Sequence, residues 1–233
     1  MAAVPRAGAI SDDARESHVS MMADQMPNAA AFESSRYWQD RYLAGGTSGA
    51  GSYGRLAVYK AHVINELAYR RSLGSVVEFG SGDGNQASLF SLGRYTGVDV
   101  SDAMVLRCNN MFADRKGWVF QTLAAYDAAP VQAQLAMSLD VIYHLVEDDV
   151  FHRYMARLFA AATEAVLIYA TDEDLLAPGV HVRHRAYSDW ISQNAQGWSL
   201  QKTWKQPFPA KPGAKSKNNS AAFFRLFLKE TTI

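Results

Sequence analysis

Apolar residues recur along this chain in two alternating rhythms, short unbroken runs and spacings of three to four, and the alternation outlines a fold. Across 55–71, Leu56, Tyr59, Val63 and Leu67 fall on one side of a helix. The run 76–79 is short, apolar and closed by glycines, as a buried strand is. The same alternation predicts further strands over 95–100, 118–122, 135–139 and 165–170, and helices over 102–113 and 147–162. Met104, Cys108, Met111 and Phe112 share a face of the first of these helices. Val150, Phe151, Tyr154, Met155, Leu158 and Phe159 share a face of the second. A weaker helix is expected between Thr122 and Leu135, interrupted by Pro130. Strands alternating with amphipathic helices imply an α/β chain with a doubly wound, mainly parallel sheet.

The two ends depart from that rhythm. Ser188 is placed to cap a short helix running to Asn194, after which 198–205 and 221–228 are β-prone runs with no helix between them, an antiparallel hairpin. The connection 207–220 carries Pro207, Pro209 and Pro212 with lysines nearby, and reads as a solvated loop or a lid facing the substrate. Residues 1–30 hold few bulky apolar groups and are expected to form a mobile leader. Order is expected from 34–42, where Tyr37, Trp38 and Tyr42 cluster beside Arg36, Asp40 and Arg41. The stretch 45–54 holds five glycines and is read as a linker or as a loop that closes over a ligand. The expected organisation is thus a leader, then one domain over 31–233 whose first part, 34–54, is a cap.

Composition narrows the partners. With 233 residues the chain suits one sizeable domain, and 23 basic against 23 acidic residues give no overall pull towards nucleic acid or an anionic membrane. The single cysteine, Cys108, excludes an internal disulfide, fits a reducing compartment such as the cytoplasm, and sits where core packing is expected. No apolar run approaches the ~18 residues of a membrane span, and no secretory signal is visible.

Chemistry concentrates in two short stretches. Residues 76–84 read Val-Val-Glu-Phe-Gly-Ser-Gly-Asp-Gly, and 97–101 read Gly-Val-Asp-Val-Ser. A strand running into alternating glycines lets the backbone turn sharply beside a ligand, and the second strand delivers Asp99 to a ribose. A dinucleotide fingerprint would need a third glycine where Asn85 stands. Glu78, two positions before the first glycine, suits instead a ligand carrying a cationic amino group.

With 138–145, Ser-Leu-Asp-Val-Ile-Tyr-His-Leu, these motifs in this order resemble the class I S-adenosylmethionine-dependent methyltransferases. The resemblance runs from about Tyr37 onwards. It implies a Rossmann-like, seven-stranded sheet ending in an antiparallel hairpin, S-adenosyl-L-methionine as cofactor, and methyl transfer to a small-molecule acceptor, at oxygen or nitrogen. It also implies that Gly80, Ser81, Gly82 and Gly84 wrap the methionine portion and that Glu78 organises its amino group. Asp99 would accept the ribose hydroxyls, Val100, Ser101 and Met104 would line the adenine, and Leu139 would stand where the sulfonium meets the acceptor. Thr122 is followed by Leu123-Ala124-Ala125, so the acidic residue that the family often uses on adenine is missing there.

His144, after the fourth strand, is the candidate base, with a structural hydrogen-bonding role as its alternative. Tyr143, His181 and His184 are candidate acceptor-binding residues, the last two in a His-Val-Arg-His-Arg run that reads as a solvated turn or as a site for an anionic or hydroxylated acceptor, and Tyr143 with packing as its alternative. No metal is expected there, since no ligand set completes the pair. Glu147-Asp148-Asp149 fits a helix N-terminus. Two other functions stay open: methylation of a protein or RNA, and a non-catalytic partner that only binds the cofactor.

Overall fold

The computed structural model describes residues 32–175, 181–210 and 218–230. The expected leader and the middle of the 207–220 connection lie outside the described residues. Seven strands form one sheet: β1 (Ser75–Phe79), β2 (Arg94–Asp99), β3 (Trp118–Thr122), β4 (Ala133–Leu139), β5 (Ala162–Ala170), β6 (Trp198–Thr203) and β7 (Phe223–Lys229). Their order across the sheet is β3-β2-β1-β4-β5-β7-β6. The first five strands pair in parallel, and β7 pairs antiparallel with both β5 and β6. This is the doubly wound sheet with a terminal hairpin that the hydrophobic rhythm predicts.

Side-chain alternation sorts the core onto the two faces of the sheet. Val76, Leu135, Met137 and Leu167 face one side, where Ile64 and Leu67 of helix α2 (Gly54–Arg70) and Cys108 of helix α3 (Asp102–Met111) cover them. Val77, Phe79, Ala136 and Ile168 face the other. There Phe151, Met155 and Leu158 of helix α5 (Asp148–Ala160) and Ile191 of helix α6 (Tyr187–Asn194) meet them. Between β3 and β4 runs the short helix α4 (Leu123–Ala128), its start capped by Thr122 Oγ1, which accepts a hydrogen bond from Ala125 N at 3.1 Å. Pro130 stands beyond its end and does not interrupt it: the helix closes at Ala128. Helix α1 (Ser34–Leu43) precedes the sheet.

Several expectations need correction. Ser188 is not a helix cap: α6 begins at Tyr187, and Ser188 N and Oγ both donate to the Asp172 carboxylate, at 3.0 and 2.6 Å. A long-range carboxylate therefore outcompetes the local capping geometry. Met111 lies on the α3 surface at 46% exposure while Phe112, one residue beyond the helix, is buried. Helix α3 stops two residues short of the expected end, and β5 begins at Ala162, where a helix had been expected to end. The glycine-rich stretch is not featureless, since Ala50–Ser52 forms a single 3-10 turn.

Candidate functional site

The strand order reverses between β1 and β4, and the crevice at the carboxyl ends of such strands is where open α/β sheets bind ligands. Both sequence motifs open into that crevice. After β1, Gly80, Gly82 and Gly84 take φ of +85°, +58° and +81°, a region that residues with a Cβ rarely adopt. A Cβ on Gly80 would lie 2.4 Å from Val141 Cγ2, and one on Gly82 would lie 2.2 Å from Ser48 Oγ. The turn is therefore held between the segment after β4 and the glycine-rich stretch after α1.

Asp99 closes β2, and its carboxylate accepts hydrogen bonds from Gly82 N at 2.8 Å and Ser101 N at 3.0 Å. Burial raises its pKa against those two donors. Glu78 is buried to 2% exposure, and burial pushes it up to about 7, although the Tyr95 hydroxyl and the Lys60 ammonium favour its charged form. The Tyr95 hydroxyl donates to Glu78 Oε2.

The 45–54 stretch is tied to the turn by a reciprocal pair. Ser48 N donates to Asp83 Oδ2 and Asp83 N donates to Ser48 Oγ, both at 2.9 Å. Tyr53 Oη adds a third contact to Asp83 Oδ2 at 2.7 Å. Burial raises the Asp83 pKa, but these donors outweigh it and the carboxyl stays below its ordinary value. Behind this clasp lies a cavity of about 300 Å³ bordered by Glu78, Gly80, Ser81, Asp99, Val100 and Leu139, among others.

A second, more polar cavity of about 230 Å³ adjoins it under α1, bordered by Tyr37, Trp38, Arg41, Tyr143, His144 and His181. Trp38, Ser48, Asp140 and His144 border both spaces. His144 Nδ1 lies 3.0 Å from the His181 carbonyl oxygen, which only accepts, so Nδ1 carries the proton and Nε2 is the ring's acceptor. Burial drives the His144 pKa down to about 4, so the ring is neutral near pH 7. The ring of Trp38 meets it edge-on at 4.9 Å, and that of Tyr143 at 4.7 Å.

Asp140, which follows β4, has φ of +60°. It is held there by Lys60 Nζ at 2.5 Å and by the Tyr143 hydroxyl at 2.7 Å. A Cβ on Gly51 would come within 2.6 Å of Asp140 Oδ2. Lys60 is wholly buried, although it stands on the apolar face of α2. Periodicity alone hides this residue, because its partner lies 80 positions away.

Of the residues singled out in the sequence, Glu78, Gly80, Ser81, Asp99, Val100 and Leu139 border the larger cavity. Gly82 lies against Ser48 and Tyr42, and Gly84 faces Cys108 and Phe112, where its missing Cβ admits α3. Ser101 serves as the N-cap of α3 by accepting from Met104 N, and Met104 is buried. Tyr143 and His181 border the smaller cavity, whereas His184 borders neither and pairs with Thr171 Oγ1 through Nδ1 at 2.6 Å. Arg183 and Arg185 of the same run pair with Asp148. No local sequence pattern marks the roles of Ser48, Tyr53, Asp83 and Lys60, which rest on contacts between distant segments. Among the described residues no group of three or more His, Cys, Asp or Glu is arranged to hold a metal ion, and no helix is long and apolar enough to cross a membrane.

No protein-family model matches the chain, and no curated protein is similar to it in sequence. Solved structures are similar in fold. The magnesium protoporphyrin IX methyltransferase ChlM from Synechocystis PCC 6803, with bound SAM, superposes at a TM-score of 0.59 and 14% identity, covering 87% of this chain and 100% of its own. The N-methyltransferase NodS from Bradyrhizobium japonicum WM9, in complex with S-adenosyl-l-homocysteine, gives 0.62 and 12%, covering 84% and 99%. A DhpI-SAM-HEP complex gives 0.54 and 17%, covering 88% and 100%. At such identities the likeness fixes the architecture, and that architecture is the Rossmann-like methyltransferase fold.

Proposed function

We propose that this chain, folded as the class I S-adenosylmethionine-dependent methyltransferases are, moves a methyl group from S-adenosylmethionine to oxygen or nitrogen of a small molecule. One observation carries the reading. Glu78 and Asp99, at the carboxyl ends of adjacent parallel strands, border one cavity on either side of a glycine turn. Two carboxylates there favour a ligand with a cationic amino group and ribose hydroxyls over one with a pyrophosphate. The similar structures named above hold SAM or S-adenosyl-l-homocysteine, which supports the same assignment.

In this reading Gly80 and Ser81 lie along the amino-acid portion, Glu78 takes its ammonium and Asp99 its ribose. When bound, S-adenosylmethionine supplies an electrophilic methyl group on a sulfonium. The chain's own contribution is alignment and dryness, worth roughly 7–11 kcal/mol when reacting atoms are held in place. Trp38 and Tyr42 of α1 border the cavity, where they would shield a bound donor from water. His144 Nε2 takes the proton that leaves the acceptor as its oxygen or nitrogen gains carbon. With a pKa near 4, His144 is neutral above about pH 5; the burial that keeps it neutral also weakens it as a base, so its part is to receive a proton that methylation has already made acidic.

Calorimetric titration with S-adenosylmethionine, and separately with NAD, tests the donor. Saturable binding of the first alone is expected, together with at least a tenfold loss of affinity in Asp99→Ala with the fold retained, the melting temperature falling only by what the two stranded backbone donors at Gly82 and Ser101 cost. Binding of NAD alone would overturn the reading. For the base, His144→Ala is expected to keep cofactor affinity within threefold and to slow turnover at least a hundredfold. Unchanged turnover would leave His144 a structural residue.

A further inference from the structure

The smaller cavity carries a chemical preference of its own. Its bordering charges are Arg41 and Asp140, with His144 and His181 beside them. Both Asp140 oxygens are already engaged, Oδ2 by the buried Lys60 ammonium and Oδ1 by the Tyr143 hydroxyl. A carboxylate so compensated offers little to an incoming cation. Arg41 is in the opposite condition. Its Nε donates to the Thr47 carbonyl at 2.8 Å, which fixes the side chain, and its guanidinium lies 5.6 Å from the centre of the Trp38 ring. The two remaining nitrogens have no hydrogen bond or ion pair among the described residues. A guanidinium anchored through Nε keeps its outer pair of N–H groups in the fork that receives an oxyanion.

The walls are flat. Tyr37 stacks on His181 at 4.9 Å and 14°, and His181 lies nearly parallel to His144 at 6.1 Å and 11°. Trp38 closes the side facing the larger cavity. These rings cover part of one another's faces, and what they present to the cavity is a largely aromatic wall of edges and outer faces, which suits a planar ligand. An apolar cavity of about 150 Å³ holds benzene, so about 230 Å³ leaves room for one ring with two substituents.

Building on the methyl-transfer reading, we propose that the acceptor is a single-ring aromatic bearing an oxyanion, a carboxylate or a phosphate. Arg41 holds the oxyanion, and the ring lies against Tyr37 and Trp38. A hydroxyl or amino group on that ring is presented to His144. Charge recognition thus sits on the cap, away from the methyl donor, so that it selects the acceptor without competing for the sulfonium.

The test is calorimetric and uses the full chain, both alone and saturated with S-adenosylhomocysteine. The probes are 4-hydroxybenzoate and 4-hydroxyphenyl phosphate as the two oxyanion sources, 4-hydroxybenzamide as the neutral analogue, and tyramine as the cationic one. At least one oxyanion is expected to bind tenfold or more tightly than the amide. Arg41→Gln should reduce that ratio to within twofold while leaving amide affinity unchanged, and Arg41→Lys should retain part of it. Equal binding of acid and amide, tightest binding of tyramine, no binding of either oxyanion, or equal losses in Arg41→Gln would each overturn the proposal. Failure of S-adenosylhomocysteine to bind would strike the parent reading instead, and the Arg41 comparison on the chain alone would still decide this one.

Discussion

Glu78 can border the cavity only by being buried, and that burial makes its charge expensive. Its pKa rises from 4.5 to about 7, because burial outweighs the help it receives from Tyr95 and Lys60. Below pH 4.5 the group is protonated in both folded and unfolded chains, and its contribution to stability is fully present. Between 4.5 and 7 the unfolded chain loses the proton first, so that contribution is lost as pH rises. His144 acts in the opposite sense: with a folded pKa near 4 against 6.5, it favours folding above 6.5 and withdraws that support as pH falls towards 4. Glu78→Gln should therefore raise stability by roughly 1–3 kcal/mol at pH 8 and change it little at pH 4. Melting curves at the two values check this, and an equal shift at both would mean that Glu78 does not titrate as described. Lys60 presents the converse case, a buried cation whose removal strands its partner. Lys60→Met is expected to cost about 3–5 kcal/mol in urea unfolding, the usual consequence of breaking one side of a buried pair. A cost below about 1 kcal/mol would mean that the Tyr143 hydroxyl alone suffices for Asp140.

Among the elements, α1 and the stretch after it have the least of their own to hold them. Few α1 side chains are buried, chiefly Ser34 and Tyr42. Its attachment is polar at both ends. Ser34 N donates to Glu147 Oε1 at 2.7 Å, the Ser34 hydroxyl donates to Glu147 Oε2, and Val146 N donates to Ser34 Oγ at 3.2 Å. A carboxylate at the first turn answers backbone N–H groups that the helix cannot satisfy itself. The far end is held through Ser48 and Asp83. Glu147→Ala should therefore speed amide exchange over 34–53 at least tenfold while protection in β1, β4 and β5 is unchanged. Equal exchange in both chains would show that the Ser48 contacts and the rings of Tyr37 and Trp38 against His181 and His144 hold this segment without Glu147.

Over the whole molecule, the order of strands and helices was readable because hydrophobic periodicity is a local property, and β3 coincides with its expected bounds. The crevice was readable too, since glycines that need positive φ and a carboxylate closing the next strand leave a mark in sequence. Lys60 was not, because a lysine on an apolar face is explained only by Asp140, far away in sequence. Ser188 was misread for the same reason, its hydroxyl answering to Asp172 instead of its own helix. The segment 34–42 could be picked out by its aromatic residues, but the clasp between Ser48 and Asp83 joins two segments whose local patterns say nothing of each other. That clasp has a thermodynamic corollary. Ser48 belongs to the walls of both cavities, so any displacement of it that admitted one ligand would reshape the compartment of the other. On the proposed reading, with donor in one cavity and acceptor in the other, the two binding free energies would share a cross term, and linkage would make it reciprocal: whatever factor the donor imposed on acceptor affinity, the acceptor would impose on donor affinity in equal measure.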